Sequence, residues 1–417
     1  MPDGEGSEAS GCPSSRGCLR AGRPVTGGAP ALEREGAVMT EADVRSGQAA
    51  GAGGGELAAA GELAGAGELA GESELAELYR AFAAEHLSPL WTQTGDLMPP
   101  HPRSRAAAHV WRWKALYALA ERAGGLVPVG RGGERRAIAL ANPSLDGRPW
   151  ATPTLWAAIQ YLGPGEVAPE HRHSQHAFRF VLEGEGVWTV VDGDPVAMRR
   201  GDLLVTAGWQ LHGHHNDSDR PMAWLDGLDV PFAQQIESGF FEAGADGVTD
   251  RSTPERSRSE RLWGHPGLVP LSRLGPQRST PLAAYRWHHT DAALAEQLAL
   301  EDEGRPGVVE PGHAAVRFSN PTTGGDVMAT LRAELHRLRP GTTTAPVREV
   351  GSACWQVFQG EAVAVLDGRE VVLSEGDCFV TPSWVALQLH TAVGADLFRF
   401  ADTPVLEALG LDRREVG

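Results

Sequence analysis

Read by its hydrophobic and polar positions, the chain has three textures. Residues 1–72 are dominated by Gly, Ala, Ser and Glu, with GELA recurring at Gly55, Gly61 and Gly67. Too few large apolar side chains occur there to offset the entropy of ordering, so a disordered tail is expected. Next, ELAELYRAFAAEH places Leu75, Leu78, Tyr79 and Phe82 at helical spacing behind Ser73, which reads as an N-cap. HVWRWKALYALAERAGG puts Trp113, Leu116, Tyr117 and Ala120 on one face and predicts a second helix stopping at Gly124, with DLMPPHPRS as a proline-broken loop between the two. After Gly125 the pattern changes to short β-rich runs punctuated by Gly, Asp and Pro, which predicts an antiparallel sandwich or barrel.

Those β-rich runs occur twice. FVLEGEGVWTVVDGDPVAMRRGDLLVTAGWQLH, from Phe180, matches VFQGEAVAVLDGREVVLSEGDCFVTPSWVALQLH, from Val357. Gly184 pairs with Gly360, and Gly201, Asp202, Thr206 and Trp209 pair with Gly376, Asp377, Thr381 and Trp384. A repeat of this length implies two copies of one structural unit. Residues 1–72 are therefore read as the tail, 73–125 as a helical N-terminal arm, 126–248 as the first copy, 249–310 as a linker and 311–417 as the second copy. The linker contains one candidate helix, TDAALAEQLALED.

Charge narrows the partners. The chain has 417 residues and a formal charge of −17, with 37 Lys and Arg against 54 Asp and Glu. Residues 1–78 hold 13 acidic and 5 basic groups, about half of that excess. Such a balance argues against nucleic acid. The cysteines Cys12, Cys18, Cys354 and Cys378 have neither disulfide-framework density nor CxxC spacing, and Cys354 and Cys378 read as buried small apolar residues. With no apolar leader and no run long enough to span a bilayer, a soluble cytoplasmic protein is expected, with Met39 as an alternative start.

The densest chemistry is PEHRHSQHAFRF, residues 169–180. On an extended strand His171 and His173 project from the same face, as two cis ligands of one ion must, whereas His176 has the opposite parity. A third ligand must come from elsewhere, and LHGHHND supplies His212 and His214. Three imidazoles without a thiolate suit Fe, Zn, Cu or Ni and leave coordination positions open; the alternative is a solvated polar strand. Arg179 shares the parity of His171 and His173 and would offer a carboxylate-matching fork in the same cavity. His176 and His215 read as surface or packing residues.

These residues resemble a family. Gly165 followed after five residues by His171, Arg172 and His173 is similar to the first cupin motif, and Gly201 with Trp209 and His212 is similar to the second. Phe178 stands near the position of the usual acidic ligand, and Ala207 replaces the usual proline. A cupin without the carboxylate resembles the bicupin ring-cleaving dioxygenases, the gentisate 1,2-dioxygenases with their salicylate and 1-hydroxy-2-naphthoate relatives. The phrases DLMPPHP, ERRAIALANPSL, HRHSQHAFRFVLEGEG, WLDGLDVP and NPTTGGDVM, at residues 96, 134, 171, 224 and 320, resemble that family in its own order.

The resemblance implies a mainly β fold of two cupin (double-stranded β-helix) barrels behind a short helical region. It implies one Fe(II) on His171, His173 and His212, molecular oxygen as co-substrate, and cleavage of gentisate to maleylpyruvate. Arg179, Arg136 or its neighbour Arg135, Trp156 and Gln160 would bind the small aromatic hydroxy acid. His214 would contact a substrate hydroxyl or move a proton, and Asp226 would orient that histidine or a ligand imidazole. A homotetramer or other homo-oligomer is implied, with neither nucleic acid nor membrane as partner. The second copy places Val347, Glu349, Leu387 and Leu389 where the first has His171, His173, His212 and His214, so its site is expected to be lost and its role to be packing. Two alternatives remain open: the same chemistry on salicylate, 1-hydroxy-2-naphthoate or a substituted gentisate, and a non-enzymatic cupin that binds a metal or a small aromatic acid.

Overall fold

Short strands, most of them buried along nearly their whole length, build two antiparallel barrels, and the interior of the first holds the candidate functional side chains. The structure is a computed structural model and describes residues 72–129, 136–271 and 275–417. The expected tail at 1–72 and Arg135 therefore lie outside the described residues, save for Glu72. The chain divides at Ser88 and Pro89 into two units. In the first, the amphipathic helix predicted from Ser73 spans Glu72–Ala84. Its Leu75 and Leu78 are exposed.

In the second unit, the first barrel consists of two facing sheets. One carries, in order, strands Ala284–Tyr285, Leu203–Thr206, Ala177–Glu183, Met222–Leu228, Trp156–Leu162 and Ala137–Ala139. The other carries Phe241–Ala243, Val167–His173, His212–Asn216, Glu185–Val191 and Asp194–Arg199. The second barrel is one curled sheet in which the long strand Ala353–Leu366 bends to pair with Ala395–Ala401 and Cys378–Thr381 in one half and with Leu387–His390 and Arg369–Ser374 in the other. The sequence repeat is real in backbone detail. Trp209 and Trp384 both adopt φ 69°, and Gly201 and Gly376 have φ 84° and 89°.

The helix predicted across His109 starts later than expected. His109–Trp111 is a strand, and the helix runs Trp113–Leu126. The β-prone pair Val110 and Trp111 finds a partner edge in the second barrel, against Phe379 and Cys378. The linker does the same in reverse: Ala284–Tyr285 pairs with Leu203 and Leu204 of the first barrel and leads into the helix Trp287–Asp302. Each barrel thus receives the strand that precedes the other.

The two arms are held alike. The Trp113 N–H donates to Asp377 Oδ1 at 2.9 Å and Arg112 to Asp377 Oδ2 at 2.6 Å. The Trp287 N–H donates to Asp202 Oδ1 at 2.9 Å and Arg286 to Asp202 Oδ2 at 2.5 Å. Each carboxylate satisfies a helix N-terminus that lacks a side-chain cap of its own. A side chain at Gly201 would collide with Trp287, and one at Gly376 with Trp113, which explains a glycine at both places. Residues 109–111 and 284–285, read as arm and linker, are therefore parts of barrel sheets.

Between the barrels lies one continuous apolar core. Phe180 stacks on Phe398 with ring centroids 4.1 Å apart, and Phe178 meets Phe400 edge-on at 4.8 Å. Such pairs add about 0.5–1.5 kcal/mol beyond simple burial. Cys354 and Cys378 are buried in the same core, where burial pushes both thiols up, as inert apolar residues. Among the described residues no helix is long and apolar enough to cross a membrane.

Candidate active site

The first barrel's interior opens into a pocket of about 680 Å³. His171 and His173 enter it from the strand Val167–His173, and His212 enters from the strand His212–Asn216, which pairs with it so that His171 lies opposite His212. Between them Arg172 points outward to Glu242, as period-2 geometry requires. Ligand-capable atoms of the three histidines all lie within 4.8 Å of one another.

Their tautomers follow from the backbone. Nδ1 of His171 lies 3.1 Å from the Pro169 carbonyl, Nδ1 of His173 2.9 Å from that of Gln175, and Nδ1 of His212 2.9 Å from that of Gln210. A carbonyl only accepts, so each Nδ1 carries the proton and each Nε2 the lone pair. Nε2 of His212 is buried and has no hydrogen-bond partner, a position that a metal ion would satisfy. Burial, together with Arg179, His171 and His173, holds the His212 pKa well below its ordinary value, so the ring is neutral and ready to ligate. The donor set, three imidazoles on one wall, fits a divalent transition metal with coordination positions left open.

Arg179 lies on Ala177–Glu183 of the facing sheet, buried, with Nη1 donating to Thr206 Oγ1 at 2.8 Å and Nε 3.7 Å from Asp226 Oδ1. Burial lowers the arginine's pKa, against the opposing pull of Asp226. Trp156 and Gln160 both line the pocket from one strand face. His214 lines it as well, fully buried against Trp224 at 5.3 Å, and burial followed by Arg179, His171 and His215 keeps it neutral.

Two expectations need correcting. Asp226 orients no histidine. It accepts from Trp224 Nε1 at 3.0 Å and flanks Arg179, because its strand places it directly opposite Arg179. Arg136, unlike Asp226, does not line the pocket. Its neighbour Ala137 lines the cavity, so alternation turns Arg136 to the other side, where it binds Glu166 and the carbonyls of Gly124 and Val127. The two histidines set aside do pack: Nδ1 of His176 accepts from the Gly208 N–H, and His215 bonds Asp217.

Sequence reasoning missed the rim formed by Gln234, Glu237, Phe240 and Phe241. Phe241 stacks on His171 at 5.5 Å because Phe241–Ala243 adds a strand beside Val167–His173. The only signal was the exposed aromatic pair in SGFFEA, which periodicity alone could not place.

A model of the cupin domain matches residues 158–228, which span the three histidines. A gentisate 1,2-dioxygenase from Streptomyces sp is 63% identical over 341 residues, covering 82% of this chain and 95% of that protein. The chain belongs to the gentisate 1,2-dioxygenase family. Members of this family are ring-cleaving dioxygenases, and the two-barrel cupin fold is theirs. A salicylate 1,2-dioxygenase from Pseudoaminobacter salicylatoxidans, solved as adducts with gentisate, is 61% identical with a TM-score of 0.82, covering 84% of this chain and 96% of that one. A 5-aminosalicylate 1,2-dioxygenase from Comamonas sp is 31% identical over 344 residues, covering 81% of this chain and 89% of that protein. The family therefore spans several ring substituents on one framework.

Proposed function

We propose that this chain cleaves gentisate with molecular oxygen between its carboxyl-bearing and hydroxyl-bearing carbons, using one Fe(II) per chain, to give maleylpyruvate. Both oxygen atoms enter the product, so no external reductant is required. The observation that carries this reading is the convergence of three imidazoles on a pocket that also contains a buried arginine. His171, His173 and His212 hold the iron, which when bound couples an electron-rich ring to oxygen. The guanidinium of Arg179 attracts the substrate carboxylate, and its bond to Thr206 fixes the direction of approach. Trp156 and Gln160 hold the ring in place. His214, neutral and within the pocket, accepts or returns a proton at a substrate hydroxyl. The rim aromatics Phe240 and Phe241 shield the bound ring from water.

Activity on salicylate is a second reading, favoured by the 61% identity to a salicylate dioxygenase. Discrimination between the two rests on a few contacts worth about 1–3 kcal/mol each. We further propose a cytoplasmic homo-oligomer. The test is anaerobic loading with Fe(II), then oxygen uptake and ultraviolet spectra with gentisate, salicylate and 1-hydroxy-2-naphthoate in turn. Stoichiometric uptake with gentisate and a maleylpyruvate absorbance supports the reading. Metal binding without oxygen consumption on any of the three acids overturns it in favour of a binding module.

A further inference from the structure

His176 does not line the pocket, yet its ring is bonded to a turn from which two of the three pocket histidines are held. Residues 207–210 form that turn, in which the Gln210 N–H donates to the Ala207 carbonyl at 3.2 Å. From it the Trp209 N–H donates to the His173 carbonyl at 2.7 Å, and the Gln210 carbonyl lies 2.9 Å from His212 Nδ1. The placing of both imidazoles therefore depends on where the turn sits. Trp209 has a left-handed backbone, φ 69°, which a residue other than glycine keeps only when its surroundings enforce it. Beside it, the Gly208 N–H donates to His176 Nδ1 at 3.0 Å. An N–H only donates, so this Nδ1 carries a lone pair.

The second copy provides an internal comparison. Its Trp384 also has φ 69° and donates to the Glu349 carbonyl at 2.8 Å, as Trp209 does to that of His173. Behind the turn the copies agree again: the His176 N–H donates to Asp229 Oδ1 at 3.0 Å, and the Ser352 N–H to Asp402 Oδ1 at 2.8 Å. A threonine from the other copy holds each aspartate, Thr330 on Asp229 and Thr154 on Asp402, both at 2.5 Å. This much is shared framework. The copies part at the side chain, where the first has the His176 ring and the second has Ser352. In the second copy the turn is joined to the facing segment by its own Ser383, whose Oγ accepts from the Gly351 N–H at 3.1 Å. At the matching Gly208 no side chain fits, because a Cβ would lie 2.3 Å from the Ser174 carbonyl oxygen. The join has to come from the facing segment, and His176 supplies it in the copy that keeps its three histidines.

We propose that His176 is a positioning residue for the metal: by holding the turn at Gly208, its Nδ1 fixes the directions from which His173 and His212 present Nε2. The proposal rests on the reading that these histidines hold a divalent metal. Partners behind a ligand commonly change metal affinity by about 10–100-fold. The test titrates the metal-free full-length protein with Co(II) and reads binding from the visible absorption of the bound ion. His176→Leu and His176→Ser remove the acceptor, whereas His176→Asn keeps an oxygen acceptor close to the place of Nδ1. The Leu and Ser variants are expected to bind Co(II) about tenfold or more weakly, with shifted bands. The Asn variant is expected to keep the affinity and bands of the unaltered protein. Original affinity and bands in the Leu or Ser variant overturn the proposal. So does an Asn variant as weak as the Leu variant, because packing of the ring rather than its bond to Gly208 would then be responsible. An unaltered protein that takes up no Co(II) overturns the metal reading itself, and this proposal with it.

Discussion

Arg179 and Asp226 stand directly opposite each other on neighbouring strands, with Nε of one 3.7 Å from Oδ1 of the other and side chains only 4% and 7% exposed. Burial pushes the Asp226 carboxyl up to about 7, while Arg179 and the Trp224 N–H pull the other way. The native state therefore keeps a proton that an unfolded aspartate releases near its ordinary value. Between about pH 4 and pH 7 the folded chain binds more protons, so this group's contribution to stability declines as pH rises through that window.

The same ionisation should be visible in substrate binding. Below pH 7 Asp226 is neutral and leaves the charge of Arg179 for an anionic substrate. Above it, the Asp226 carboxylate competes for the guanidinium and repels the substrate anion. KM for gentisate is expected to rise with pH through about 7, and Asp226→Asn is expected to flatten that rise while kcat changes less. Initial rates from about pH 6 to pH 8.5 decide the point. An unchanged KM profile in the variant would show that the pair does not control binding.

Thr206 is the fixed end of the same arrangement, because its hydroxyl accepts from Arg179 Nη1 at 2.8 Å with both groups buried. Thr206→Val keeps the shape and removes the acceptor, which leaves a buried donor unsatisfied at a cost of about 1–3 kcal/mol. KM is expected to rise by about tenfold, with iron content unchanged. A variant that loses iron in parallel would mean that Thr206 supports the barrel as a whole.

Much of this site was legible because strand periodicity is simple. His171 and His173 share a face two residues apart, and the second histidine cluster, LHGHHND, supplied His212, which the register sets opposite His171. Asp226 and Arg136 were misassigned because their partners, Arg179 and Glu166, are fixed by cross-strand register and by side-chain direction, which spacing within one strand does not reveal. The exchanged arms were missed for a related reason. VWRW and AYRW, at residues 110 and 284, look alike, but the partner edge of each lies some 80 to 270 residues away, and the helical pattern from Trp113 obscured the strand before it. The polar interior of the second barrel was likewise concealed: the repeat showed which histidines were gone but not that His313, His336 and Arg399 from other strands had gathered there.

Metal occupancy should be a stability variable as well as a catalytic one. A ligand that binds only the folded state stabilises it by about 2.7 kcal/mol at a hundredfold excess over Kd. Chelation is expected to lower the melting temperature of the Fe(II)-loaded protein to that of His212→Ala, and to have no effect on that variant, whose iron content should be near zero. Scanning calorimetry with iron analysis tests both statements. A chelator shift that persists in His212→Ala would place the metal elsewhere.

The two exchanged arms make unequal demands on their arginines, and that inequality is measurable. Arg286 has a side chain only 8% exposed and is bonded to Glu260 at 2.6 Å and to Asp202 at 2.5 Å. Removing it strands two buried carboxylates, so Arg286→Ala is expected to cost about 3–5 kcal/mol. Arg112 occupies the matching place beside Asp377, but its side chain is 51% exposed, and water can replace it. Arg112→Ala is expected to cost no more than about 1 kcal/mol. Urea unfolding of the two variants compares them directly. Equal losses would show that the arms are held mainly by their strands and by Trp113 and Trp287, and that the guanidinium groups add little.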